Sequence, residues 1–380
     1  MRVLYTTTSR RAETFLRPEV QRLGTCGVYV EVRGLRDLTD WPSPISMVLG
    51  GRGVLGAFRR LAIDRSNLDA KTRLKNWMAA LQAAGFASDL LSANFDAVHA
   101  YWASAPATVA VLLAARWSIP FSFTGHRWDI YARQLLAAKA DRASFIRAIS
   151  SRGADLLVQL MPKHRELVKI VHVGVDVPAP AKRPLSPGPP RLLAVGNLFP
   201  VKGHSVLLSA LELIVDEGLP LKLDLVGSGP ELHHLQTQAS RAPRLQGRIR
   251  FLGQLSHREV LNLMSDDYNA IVHSSISGSS GLEEGVPVVL LEAAARRLPI
   301  VATMSGATSE LVTKSTGWPC EPNSPSTLAQ AILASLTSPL EALERADHAF
   351  ELINEVWNVE KTARQMADLF HETTPLRDRR

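Results

Sequence analysis

The sequence predicts an α/β chain of two doubly wound, Rossmann-like domains facing a central cleft, and three observations carry that expectation. Short apolar runs alternate with helical stretches along the chain, which is the rhythm of βαβ units. At 380 residues the chain is too long for one ordinary core, so two domains are the default. Between them falls the densest group of breakers, six prolines from Pro178 to Pro190 (PAPAKRPLSPGPP), an extended segment that cannot pack as helix. The expected organisation is a first domain over 1–177, a linker over 178–190 and a second domain over 191–380. The last helix is a candidate to cross back onto the first domain.

Before the linker, short apolar runs read as strands at Arg2–Thr7, Val28–Arg33, Ala97–Trp102, Pro120–Thr124, Phe145–Ile149 and Lys169–Val173. Longer stretches read as helices at Lys71–Ala84, Ala107–Arg116 and Tyr131–Ala140. After it, strands are expected at Arg191–Val195, Lys222–Val226, Ile249–Leu252, Ala270–His273 and Ile300–Thr303. Helices are expected at His204–Asp216, Glu231–Ser240, Ser256–Met264, Val288–Arg296 and Ser326–Leu336. Parallel sheets of this kind take ligands outside the carboxyl ends of their strands. A ligand would therefore lie in the cleft, held mainly by loops of the second domain.

Bulk properties narrow the class. Hydrophobic residues make up 46% of the chain, enough for two cores, yet no apolar run reaches the roughly 18 residues of a spanning helix. The start, MRVLYTTTSRR, reads as a first strand and not as a signal peptide. Cys26 and Cys320 lie far apart without CxxC spacing, which points to a reducing cytoplasm and away from disulfides or zinc. Net charge is +7, unevenly spread: residues 1–180 hold 24 Lys and Arg against 14 Asp and Glu, and the rest holds 19 against 22. A basic first half suits an anionic partner such as membrane headgroups, a phosphorylated acceptor or nucleic acid. Nucleic acid is disfavoured, because no strand interleaves aromatic with basic residues and aromatics are only 6% of the chain.

The most informative stretch is EEGVPVVLLE, in which Glu284 and Glu292 bracket a Gly-Val-Pro turn. Pro287 suits the first position of a helix, and Val288 to Ala295 are apolar on nearly every side, as a buried helix would be. A carboxylate at Glu292 in that run is costly unless something hydrogen-bonds it. A helix start with free N–H groups is also a seat for phosphate. Anion seat and buried acid lie within about two helical turns of each other, so a phosphorylated, polyhydroxylated ligand fits both. The alternative is a helix whose Glu pairs with a core Arg.

Two other turns point the same way. AVGNLFPVKG leaves a strand and enters a helix with Lys202 at its mouth, a point charge placed for phosphate oxygens. LVGSGPE places Gly227 and Gly229 around Ser228, where small residues admit a close ligand. Neither turn completes the GxGxxG fingerprint or a GxxxxGK(S/T) phosphate loop, so nicotinamide dehydrogenases and P-loop NTPases lose ground.

Together, AVGNLFPVKGH, LDLVGSGPEL, RIRFLGQLS and EEGVPVVLLEAAARRLPIVAT resemble the retaining glycosyltransferases of GT-B fold that carbohydrate classifications place in family four. In the first half, HAYWASAPATVAVLLAARWSIPFSFTGHRWDI and IVHVGVDV are similar to the subgroup that builds bacterial exopolysaccharides of the colanic acid and amylovoran kind. The resemblance implies transfer of a hexose from a UDP- or GDP-sugar to a glycan acceptor, lipid-linked, with no cofactor. It implies that Glu292 holds the ribose hydroxyls, that Glu284 approaches the transferred sugar, and that Lys202 neutralises the leaving diphosphate. Val288 and Val289 would hold that diphosphate by backbone N–H, Gly227 and Gly229 would give room near the nucleotide, and His126 in TGHRWDI would face the donor sugar.

Two departures stand out. Asn197 stands where the family usually has Arg, and a neutral amide replaces neither the charge nor the fork of a guanidinium. TTTSRRAETF also lacks the family's N-terminal glycine pair; Arg10 or Arg11 is a candidate source of the missing charge. No two Asp residues stand two apart, so the DxD element that carries a metal in the other major glycosyltransferase fold is missing. No metal is expected, and preorganised groups would stabilise the leaving charge. Paired-acid hydrolases set their carboxylates on opposite faces of the scissile bond, unlike this pair. A non-catalytic sugar-nucleotide-binding subunit and a UDP-sugar epimerase of the same fold are the alternatives.

Lys71–Leu81 adds a membrane surface as a candidate partner: Leu74, Trp77, Met78 and Leu81 share a helical face, with Lys71, Arg73 and Lys75 in the first turns. The competing reading packs that face on the sheet and leaves Arg59 and Arg60 to form the basic surface. The expected location is the cytoplasm, with peripheral attachment to the inner face of the plasma membrane.

Overall fold

The structure, a computed structural model, describes residues 1–8, 16–35, 54, 56, 58, 70–90, 93–132, 135–179, 188–216, 218–276 and 285–374. The chain divides into two compact units: unit 1 comprises Met1–Gly174 with Val359–Arg380, and unit 2 comprises Val175–Asn358.

Unit 1 runs β1 (Arg2–Thr7), α1 (Leu16–Thr25), β2 (Tyr29–Gly34), α2 (Ala70–Asp89), β3 (Ala97–Ala100), α3 (Ala105–Trp117), β4 (Phe121–Gly125), α4 (Arg127–Tyr131), α5 (Leu136–Ala140), β5 (Phe145–Ala148), α6 (Ser151–Leu160) and β6 (Val168–Ile170). Its six strands are all parallel, in the order β2-β1-β3-β4-β5-β6. Alternation of side chains along each strand feeds two cores. Leu4, Val98, Phe121 and Phe123 face α2 and α3. Val3, Tyr5, Ala97 and Phe145 face α1 and the chain's last helix, Val359–Thr373, through Met366 and Phe370. The helix expected over Tyr131–Ala140 is instead α4 and α5, because Leu135 stands between them at φ 54, a left-handed conformation that no continuous α-helix accommodates.

Unit 2 runs β7 (Arg191–Val195), α7 (His204–Asp216), β8 (Lys222–Val226), α8 (Leu232–Arg241), β9 (Ile249–Gly253), α9 (His257–Ser265), β10 (Ala270–His273), α10 (Val288–Ala294), β11 (Ile300–Thr303), β12 (Trp318–Cys320), α11 (Pro325–Thr337) and α12 (Pro339–Leu352). The sheet is parallel, in the order β12-β11-β10-β7-β8-β9. Strand order reverses between β7 and β10, and beyond the carboxyl ends of that pair lies the crevice where such sheets bind ligands. One face buries Leu192, Leu223 and Val272 under α7, α8 and α11. The other buries Leu193, Ile271 and Ile300 under α9 and α10.

Buried Asp224 ties the amino-terminal side of this sheet together. Its carboxylate accepts Arg250 Nε at 2.6 Å, Tyr268 Oη at 2.5 Å and Arg191 Nη2 at 3.2 Å. Burial alone would raise its pKa, but these hydrogen bonds, Arg250's first, hold it below the ordinary value.

Candidate functional site

Loops after β7 and β8 build the first cluster. Gly196–Phe199 lead into a single 3-10 turn, Pro200–Lys202, before α7. The Lys202 carbonyl accepts Ser274 Oγ at 3.0 Å, and the Ile276 N–H donates to Val201 O at 2.9 Å. The turn is thus tied to the loop after β10, across the reversal point of the sheet. Lys202 is half-buried and Asn197 exposed. His204, buried at the head of α7, has its pKa pushed down to about 4, by burial first and by His273 second. It therefore brings no charge to the turn at neutral pH.

Gly227 and Gly229 press on the same turn. A Cβ at Gly227 would stand 1.9 Å from the Gly196 carbonyl oxygen, and one at Gly229 2.5 Å from that of Leu198. Their φ values, +145° and +159°, also disfavour a side chain. The loops are laced by Gly196 N–H to Val226 O at 3.0 Å and Leu198 N–H to Ser228 O at 2.9 Å. The sequence assigned these glycines to a close ligand. The structure shows a neighbouring backbone already in the place of their Cβ atoms, so a side chain there would displace the segment that carries Asn197 and Lys202.

The second cluster sits on α10. Pro287, expected as the first helical residue, stands one position earlier, as the N-cap (φ −63°, ψ 121°). The helix also ends at Ala294 instead of Arg296, and Arg297 turns to φ 52°. Leu290, Leu291, Ala293 and Ala294 are buried, while Val288, Val289 and Glu292 are only partly so. Val288 and Val289 pack against the same core as Val195 and Val226, the last residues of β7 and β8. No core arginine takes the Glu292 carboxylate among the described residues: Arg296 Nη1 donates to its backbone carbonyl at 3.0 Å. The partner is His257, whose Nε2 lies 2.6 Å from Glu292 Oε1. Sequence reasoning missed this histidine. Its signal was the stripe His257, Val260, Leu261 and Met264 on one face of α9, which carries a polar residue to the edge of an apolar seam.

On unit 1, His126 follows β4 and is buried, with its ring on Trp102 at 4.1 Å between centroids and 5.1 Å from Tyr101. Burial, and secondarily the charge of Arg147, push its pKa down to about 3, so the imidazole is neutral. Asp129 and Lys139 fix the adjoining loop: Asp129 Oδ2 accepts the Ala103 N–H at 2.6 Å, and Lys139 Nζ donates to the carbonyls of Ala103 and Ser104 at 2.7 and 2.8 Å. Burial drives the Asp129 pKa up to about 6 and that of Lys139 down to about 7.

Glu284 lies outside the described residues, as do Arg10, Arg11, Arg59 and Arg60. Asn197, Lys202, Gly227 and Gly229 come together at the loops after β7 and β8, and Val288, Val289 and Glu292 share α10. On α2, the side that packs on α3 is the alanine-rich one of Ala79, Ala80 and Ala83. Leu74, Trp77, Met78 and Leu81 stay 45–63% exposed, together with Lys71, Arg73 and Lys75. Among the described residues no helix is long and apolar enough to cross a membrane.

Residues 178–351 match the family model described as glycosyl transferases group 1. WcaL of Escherichia coli (strain K12), named as a colanic acid biosynthesis glycosyltransferase, is 30% identical over 236 residues, covering 60% of this chain and 56% of that protein. The chain thus spans little more than half of that relative's length. Among solved structures, HepE of Anabaena, determined with UDP and with UDP-glucose, superposes at TM-scores of 0.71 and 0.72 with 18% identity, covering 98% of this chain and 100% of that one. The sucrose-phosphate synthase of Thermosynechococcus elongatus superposes at 0.73 with 16% identity, covering 98% of this chain and 99% of that one. These likenesses establish the GT-B fold.

Proposed function

We propose that this chain, whose residues 178–351 match the group 1 glycosyl transferase model and whose fold is GT-B, is a retaining, metal-independent hexosyltransferase. It moves a sugar from a UDP- or GDP-sugar to a lipid-linked glycan acceptor in the synthesis of a bacterial cell-surface or exopolysaccharide. The C1–O bond to the diphosphate breaks, the acceptor hydroxyl bonds to C1 on the same face, and the acceptor proton leaves with the nucleoside diphosphate. The observation that carries this reading is the pinned Lys202 turn at the reversal point of unit 2, on whose core α10 with Glu292 also packs.

In this reading Lys202 and the N–H groups of Val288 and Val289 take the diphosphate, Glu292 takes the ribose, and Gly227 and Gly229 serve the nucleotide side by letting the Lys202 segment lie close against them. Glu284 and His126 are assigned to the transferred sugar by the family resemblance. The colanic acid name of WcaL supports the exopolysaccharide setting. The HepE structures make UDP the first ligand to try. The exposed basic and apolar side of α2 supports peripheral attachment to an anionic membrane on its cytoplasmic face.

A thermal-shift panel of UDP, GDP, ADP and their sugars tests donor binding. A ligand at 100 times its Kd adds about 2.7 kcal/mol of stability. Glu292→Ala is expected to weaken UDP or GDP by roughly 1.5–3 kcal/mol, the cost of losing hydrogen bonds to a charged group. Failure of every nucleotide to shift the melting point would overturn the reading. Asn197, neutral and exposed, favours one alternative, a donor-binding subunit without catalysis. Donor hydrolysis by the purified protein separates the two.

A further inference from the structure

Glu292 gives α10 a carboxylate, but the carboxylate does not set its own direction. His257 does. It is the first residue of α9, whose start is fixed independently by a capping box: Ser256 Oγ accepts the Glu259 N–H at 3.3 Å, and Glu259 Oε2 accepts the Ser256 N–H at 2.7 Å. Val260 and Met264 then seat α9 on the core it shares with Leu290 and Leu291 of α10. The contact of His257 Nε2 with Glu292 Oε1 spans these two anchored helices at 2.6 Å.

The pair contributes little to stability, because the His257 side chain is 39% exposed and solvent screens it. The fold has no need of it, since the capping box and the apolar seam already hold both helices. A carboxylate offers about four lone-pair sites, of which the imidazole occupies one. Among the described residues no other side chain occupies it.

We propose that His257 is a positioning residue of the donor site: its imidazole fixes the Glu292 carboxylate through Oε1 and leaves Oε2 to accept the ribose hydroxyls of a nucleoside diphosphate sugar. The inference rests on the donor-site reading above and names the residue behind the ribose contact. The groups that act on His257 are Glu292 from α10, Arg296 from the turn that follows it and Asp176 from the segment entering unit 2. The Glu292 hydrogen bond comes first and keeps the imidazole protonated above its ordinary 6.5; partial burial and Arg296 oppose it, and Asp176 adds to it. Charge-assisted positioning is therefore present below the ordinary imidazole pKa and fades as pH rises through the raised one.

Titrations of the full chain with UDP, 2′-deoxy-UDP and inorganic pyrophosphate across this pH range test the proposal. The ratio of UDP to 2′-deoxy-UDP affinity cancels the titration of base and phosphate. In the wild type this ratio should exceed about tenfold and shrink toward alkaline pH. His257→Ala should collapse it at every pH without changing pyrophosphate binding, and His257→Gln, which keeps an N–H donor, should restore part of it with a flat pH profile. If UDP binds but the ratio and its pH profile survive in His257→Ala, the positioning role is wrong and the donor site stands. If the wild type binds neither UDP nor GDP, the donor-site reading falls and takes the inference with it.

Discussion

Lys202 is the residue whose place says most about chemistry. The hydrogen bond from Ser274 and the lacing of the β7 and β8 loops hold the backbone around it, so its ammonium is delivered on a fixed turn. Charge on the diphosphate grows as the glycosidic bond breaks, and a preorganised cation there acts mainly in the transition state. Lys202→Ala should therefore lower kcat by about 10²–10³ while changing donor Kd far less. Steady-state kinetics beside direct binding checks this, and near-normal turnover would mean that another basic group holds the phosphate. The neighbouring Asn197 invites the companion change Asn197→Arg, which should tighten donor binding. The turn and Glu292 stood out in the sequence because glycine, proline and a carboxylate in an oily run are local anomalies. His257 did not, because its meaning comes from a residue 35 positions away.

Strands were the most legible elements. Arg191–Val195, Lys222–Val226, Ala270–His273 and Ile300–Thr303 have the bounds that the apolar runs suggest, since strands buried on both faces read as continuous hydrophobic runs. β12 escaped notice: it is three residues long with Pro319 at its centre, tolerable only on the edge where it lies. The helix α1, LRPEVQRLGT, is short and mixed in polarity, and its place comes from packing on the last helix. Asp224, which staples three strands and Tyr268, carries a stability prediction. Its folded pKa is depressed, so its contribution is present above the unfolded value of about 3.9 and is lost as pH falls through the folded one. Denaturant melts of wild type and Asp224→Asn should differ most at neutral pH and converge below about pH 4. A constant difference would remove the charge from the explanation. The α2 helix supports a second test. Its Leu74, Trp77, Met78 and Leu81 side is about half exposed, with Trp77 edge-on to Phe58 at 5.0 Å, so this side does not lie buried on the sheet as the competing expectation required. Each basic residue near an anionic surface contributes about 1 kcal/mol. The protein should sediment with anionic vesicles at low salt and be released at high salt, and Trp77→Ser with Leu81→Ser should weaken this. Binding indifferent to lipid charge would leave a soluble acceptor.

At the scale of the whole molecule, the sequence conveyed two parallel α/β units because length, the proline cluster and the βαβ rhythm are global signals. It could not convey which strand lies beside which. The reversal between β7 and β10 is a matter of long-range pairing, and it puts the Lys202 turn beside the loop after β10. That arrangement supports the last prediction. A sugar nucleotide carries its negative charge on the diphosphate, and an enzyme must meet that charge with a metal or with its own groups. No DxD pair occurs anywhere in the 380 residues. The groups assigned to the task are Lys202 and the first N–H groups of α10, both on unit 2 and both set by the fold before any ligand arrives. Turnover should therefore be undiminished in excess EDTA and unchanged by added Mg²⁺ or Mn²⁺, measured as nucleoside diphosphate released in the presence of acceptor. Strict dependence on either ion would mean that the cation and the helix start do not suffice, and the leaving-group assignment to Lys202 would have to be abandoned.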